Sequence, residues 1–311
     1  MRKSFRYYIF KRPVVRTLMD MRKQQLKIYD SSAELLSAYI SGRFDLDRWK
    51  AYMDQCIPAA KELCINDMQE CIAAGFSWEK DFLPVLNAVS EDEEKRRKAI
   101  DTFHALTEKL EERIPEVFHR TVDADIILYL GLCNGAGWVC DLSGRTSVLL
   151  GIEKIMELGW YDKRSITGLL FHELGHVYQA QYGRFRFDTD SMKDHFLWKL
   201  FTEGVAMVFE QELIGDSDFY QQDVNGWKDW CEENCANILA SFVRDLQTMT
   251  PDDQRYFGDW VSFEGRGDTA YFLGTKFVRY MQKSDEFDHI IAYDIDTVKE
   301  KFKSFCDEVF R

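Results

Sequence analysis

The chain has 311 residues, 46% of them hydrophobic and 14% aromatic, which is enough to build a large core and too apolar for an intrinsically disordered chain. Its 40 lysines and arginines stand against 53 acids, and the net charge of -13 argues against a sequence-independent hold on nucleic acid or anionic lipid. The basic start, "MRKSFRYYIFKRPVVR", never reaches a long apolar run, so no signal peptide or membrane span is expected, and the expected location is the cytoplasm.

Residues from about 31 to 120 alternate apolar and charged positions at helical period, as in "WKAYMDQCIPAAKELCINDMQECIAAG", and predict a helical region. From 124 the texture changes. "ADIILYLGL", "GWVCDL" and "TSVLLGIE" are short and β-rich, broken by "CNGAG" and "SGR", and predict three sheet strands. After 163 the pattern turns helical again. No repeat or Pro/Gly/Ser-rich linker interrupts the chain, so the division into 1–121, a mainly helical N-terminal region, and 122–311 rests on the change of texture alone. The eight cysteines form no CxxC pair and are expected to be free thiols serving as small hydrophobes; a metal or redox role for Cys231 and Cys235 would need other ligands nearby, and the sequence shows none.

The stretch "FHELGHVYQAQYG", 171–183, puts two histidines and a glutamate into what otherwise reads as a buried helix. Polar groups in such a place need hydrogen bonds or a metal to offset their desolvation. On a helix, His172 and His176 stand about 40° apart and roughly 6 Å along the axis, so both imidazoles can reach one ion. Glu173 projects about 100° from His172, where it can face a water without being a ligand. Ile166, Leu170, Leu174 and Val177 form an apolar stripe on a neighbouring face. Gly168 and Gly175 remove bulk near the histidines, and a close neighbour is the natural reason for them.

A catalytic zinc site has three protein ligands and an open position. Gln179 and Tyr182 occupy the places where a closely spaced third histidine would fall. Downstream, "DHFLWKLFTEGVAMVFEQELIG" predicts a second helix with Glu203 in its middle. A mid-helix glutamate is ordinarily solvated. The preferred reading makes Glu203 the third ligand, with Gly204 and Ala206 keeping its surroundings small so that the two helices pack closely. Glu210, two turns on, reads first as a surface charge and second as a group that orients a ligand histidine through its other ring nitrogen.

"HELGH" followed by "TEGVA" resembles the gluzincin metallopeptidases, in which two helix histidines and a glutamate from a later helix bind zinc. The resemblance implies His172, His176 and Glu203 as ligands of one catalytic zinc, and Glu173 as general base. It implies a zincin-like α+β catalytic domain: a small sheet before the active-site helix, a glutamate helix after it, and "NGAGW", 134–138, where related enzymes line the cleft with an edge strand. "GDTAYFLGTKFVRY" is similar to a segment of zinc-dependent proteases of unknown substrate, and it marks Tyr271 as a candidate oxyanion donor, with a core tyrosine as the alternative. Asp268 reads as the N-cap of the helix that carries it. The resemblance spans roughly residues 124–283. Within it, 26 residues separate His176 from Glu203, longer than in several familiar relatives, and Met207 stands where some of them place an orienting aspartate.

The implied activity is hydrolysis of peptide bonds by a zinc-activated water with Glu173 as base, acting on a peptide or protein substrate. Two alternatives stay open: a zinc hydrolase acting on a non-peptide amide or related bond, and a non-catalytic protein that keeps the fold as an interaction module. His104, His119, His195 and His289 are expected to be surface residues or satisfied core residues.

Overall fold

The computed structural model describes residues 25–258 and 261–311; the basic start of the chain lies outside them. The chain is α+β, with helices dominating a small mixed sheet. It divides into two compact units, one ending at Leu170 and one beginning at Phe171.

The first unit opens with strand β1 (Leu26–Asp30), a two-residue hairpin of β2 (Tyr39–Ile40) and β3 (Arg43–Phe44), and five helices: α1 (Leu46–Cys56), α2 (Pro58–Ala73), α3 (Leu83–Glu91), α4 (Glu93–Thr107) and α5 (Leu110–Phe118). Then come β4 (Ala124–Tyr129), β5 (Gly137–Leu142), β6 (Arg145–Gly151) and α6 (Ile152–Glu157). The three predicted strands are thus where the sequence patterns put them, and the predicted helical region holds from Leu46 to Phe118; its first part, 39–44, forms the hairpin instead.

The sheet runs β1-β4-β6-β5, with β1, β4 and β6 parallel and β5 antiparallel at the edge. Central strand β4 is buried along nearly its whole length, which is why "IILY" is a continuous apolar run instead of an alternating one. Arg145 ties the sheet's end, reaching Asp123 at 2.6 Å and also pairing with Asp125. The fourth strand, β1, lies before the helices and pairs in register with β4, Ile28 opposite Ile126. The sheet draws on both sides of residue 122, and the two compact units part at 170/171, inside helix α7 (Lys163–Tyr182).

The second unit contains the rest of α7, then α8 (Met192–Ile214), α9 (Trp227–Glu233), α10 (Cys235–Asp245), α11 (Thr269–Met281), α12 (Phe287–Ile290) and α13 (Ile295–Val309). Helix α8 is its axis. Ser191 caps its first turn by accepting from Asp194 N–H at 3.3 Å, and Gly215, at φ 82°, ends it in the left-handed conformation. Between these ends nearly every residue from Phe196 to Leu213 is buried, so the helix is covered on all sides. Helices α11 and α13 pack on it, and Phe277 meets Phe302 edge-on at 5.3 Å.

All eight cysteines are free. Among the described residues no helix is long and apolar enough to cross a membrane.

Candidate metal centre

The stripe predicted on α7 is realised: Ile166, Leu170, Leu174 and Val177 are fully buried. That burial fixes the helix's rotation and with it the direction of the histidines. His172 and His176 stand edge to face with ring centroids 4.8 Å apart. Opposite them, Glu203 is 1% exposed on α8 and sends Oε2 to within 3.1 Å of His172 Nε2 and 3.5 Å of His176 Nε2. The three residues predicted as ligands are thus brought together, with donor atoms all within 4.8 Å of one another.

Glycines allow this approach. A Cβ on Gly175 would stand 2.7 Å from the Ala206 Cα, closer than packed atoms come, so α7 and α8 touch backbone to backbone beside the histidines. Gly204 serves a different neighbour from the one expected. A Cβ there would collide with the Gly274 carbonyl, so it admits α11 to α8, while Ala206 alone meets α7. The result is a three-helix sandwich with α8 in the middle.

Helix α11 brings Tyr271 to the site. Its ring lies 5.6 Å from that of His172, tilted by 49°, and is 7% exposed. Asp268 precedes the helix as predicted but does not cap it; at φ 56° its side chain instead accepts from Gly258 N–H at 2.9 Å, binding the preceding loop to the helix start. Phe185 covers the other side of the pair, 5.3 Å from His176.

Glu210 corrects the sequence reading. It is not a surface charge: it is 1% exposed, and its Oε2 lies 3.6 Å from His172 Nδ1. Its position two turns after Glu203 was visible in the sequence. What misled was the assumption that α8 has a solvated face, and the apolar neighbours Val208, Phe209 and Leu213 were the signal against it.

The electrostatics follow from putting two imidazoles and three carboxylates in a place with little water. Burial works against a charged His172, but the Glu203 and Glu210 carboxylates outweigh it and hold the imidazole up at about 10. Burial pushes His176 below its ordinary value, with Glu203 opposing. Burial also disfavours the Glu203 carboxylate, yet the two imidazoles prevail and keep it ionised well below the usual carboxylate range. Glu173, 6% exposed, goes the other way: burial raises it to about 7 against the pull of His172. Two glutamates one helix apart are therefore driven in opposite directions, one firmly anionic and one poised near neutrality.

The donor set fits zinc. Bonds of about 2.0–2.2 Å at tetrahedral angles place neighbouring donors about 3.3 Å apart; the two separations to Glu203, 3.1 and 3.5 Å, straddle that spacing, and all three donor atoms lie within 4.8 Å of one another. Two imidazole nitrogens and one carboxylate oxygen are also a ligand type suited to it. The remaining histidines stay away from this cluster: His104 pairs with Asp30 at 2.7 Å, and His119, His195 and His289 are exposed. Burial pushes the Cys231 thiol up to about 12, which suits a packing role.

Compared with protein-family models, curated proteins and solved structures, the chain gives no match.

Proposed function

We propose that the chain is a zinc-dependent metallopeptidase of gluzincin type, with a zincin-like fold. The observation that carries this reading is the convergence of His172, His176 and Glu203 from two helices, with Glu173 buried between the two histidines in sequence and outside the donor set. A structural site has no use for such a glutamate; a hydrolytic one needs it. The antiparallel edge strand beginning at Gly137, at the end of "NGAGW", also supports the reading, since that stretch resembles the one that lines the cleft in related enzymes.

His172, His176 and Glu203 would hold the metal. When bound, zinc supplies Lewis acidity, lowering the pKa of water toward neutrality and polarising a carbonyl. Glu173 is then the base that accepts the proton of the attacking water and returns it to the departing amine. Burial disfavours the charged form of Glu173 and so favours its taking up a proton. Tyr271, beside His172, offers a neutral donor for the developing oxyanion.

The test is digestion of a mixed peptide library by the zinc-loaded protein and by Glu173→Gln at equal zinc content. Cleavage by the wild type and none by the variant is expected. A zinc-loaded wild type that cleaves no peptide but hydrolyses small amides moves the assignment to a non-peptide hydrolase, and equal turnover by the variant removes Glu173 as base.

A further inference from the structure

We infer that Glu210 is a positioning residue of the metal centre, holding the His172 ring by its Nδ1 side so that Nε2 presents its lone pair to the ion; this rests on the zinc site proposed above. The two nitrogens of His172 face different carboxylates. Nε2 lies 3.1 Å from Glu203 Oε2, inside the three-donor cluster, whereas Nδ1 lies 3.6 Å from Glu210 Oε2, outside it. Glu210 is therefore not a fourth ligand of the same ion.

The register of the two helices explains why this residue takes the part. Helices α7 and α8 meet in opposite senses: Gly175 lies against Ala206, His176 reaches back along α8 to Glu203, and His172 reaches forward to Glu210. Side chains on a helix lean toward its N-terminus, so the His172 ring is carried toward the C-terminal end of α8. The α8 residue four after Glu203 is Met207, fully buried, whose thioether is at best a weak acceptor. The next carboxylate on the same face is Glu210.

A ligand imidazole must be neutral with its proton on the nitrogen away from the metal, and a carboxylate acceptor there fixes the tautomer, the ring's rotation and its basicity. At 3.6 Å the contact is an ion pair and not yet a hydrogen bond. A small turn of the ring toward Glu210 closes it, in the way apo-site contacts tighten when their ligand arrives.

The experiment measures zinc affinity by competition with a chromophoric chelator for the wild type, Glu210→Ala and Glu210→Gln, with two companion readouts. These are the His172 Nδ1–H resonance in the zinc-loaded proteins and the melting temperature of the zinc-free ones. Glu210→Ala is expected to bind zinc about 10–100-fold more weakly and to lose the protected Nδ1–H signal. Glu210→Gln, whose amide oxygen still accepts, is expected to fall between it and the wild type. A residue that merely fills the core would lower the melting temperature and leave the other two readouts alone. Wild-type zinc affinity and an unchanged Nδ1–H signal in Glu210→Ala overturn the inference; if that variant does not fold, the same result in Glu210→Gln does so. A wild type that binds no zinc brings down the metal site and this inference together, while a zinc-binding wild type that cleaves no peptide leaves this inference standing, because its readout is affinity.

Discussion

Glu173 and Glu203 have the same side chain, are both buried and lie in the same site, yet they are assigned opposite work. Glu203 meets both imidazoles, which keep it anionic against its burial; Glu173 lies outside the donor set, and burial raises its carboxyl group. They are expected to fail differently. Glu203→Gln should weaken zinc binding itself, whereas Glu173→Gln should keep zinc and lose hydrolysis, and zinc content measured beside turnover separates the two. Equal metal loss in both, with the fold intact, means the roles are misassigned. Tyr271 makes a third case. Tyr271→Phe preserves the ring that lies against His172 and deletes the hydroxyl, so kcat should fall roughly 10²–10³-fold with zinc content and melting temperature unchanged. Unchanged turnover would make Tyr271 a packing residue only. At this scale the sequence was informative wherever short-range geometry decides: the i, i+4 spacing of the histidines fixes their common face whatever surrounds it. It ranked Glu210 wrongly, surface charge before orienting group, because burial of a helix face depends on what packs there.

The helices come together through their smallest residues. Gly175 admits the backbone of α8 to α7, and Gly204 admits that of α11 to α8, each at a place where a methyl group has no room. Gly204→Ala must push α8 and α11 apart against rigid backbone, so a loss of about 1–3 kcal/mol or more is expected in denaturant unfolding. Gly175→Ala should lower stability similarly and also weaken zinc binding, because it separates the helix carrying the histidines from the helix carrying Glu203. Wild-type stability in either variant would mean that the helices do not pack as closely as described. The sequence carried part of this. A glycine in a helix costs stability unless a neighbour needs the space, and that argument located Gly175; it could not say which neighbour Gly204 served, since Gly274 lies 70 residues further on. Nor did it reveal β1, five residues with only Leu26 buried, whose strand state comes from its pairing with β4 and not from an apolar pattern of its own.

At the scale of the molecule, a metal held at this site would couple to folding. The donor residues come from two helices of the second unit, so an ion bound by them ties α7 to α8 only in the folded chain, and it should stabilise that state by RT ln(1 + [Zn]/Kd), about 2.7 kcal/mol at a hundredfold excess over Kd. Removing zinc with a chelator is expected to lower the melting temperature of the wild type and to leave that of His176→Ala where it was. The composition of the whole chain pointed to a globular protein, and the helix and strand textures named its parts. The packing of α11 against α8, which sets Tyr271 beside His172, is a long-range outcome that no local pattern expresses. The central claim is a single zinc held by His172, His176 and Glu203, and its most direct measurement is the zinc taken up per chain when stripped wild type and stripped His176→Ala are titrated with the metal and washed. One zinc per wild-type chain and none in the variant is the expected result; a folded wild type that takes up no zinc, or a variant that takes up as much, would contradict it.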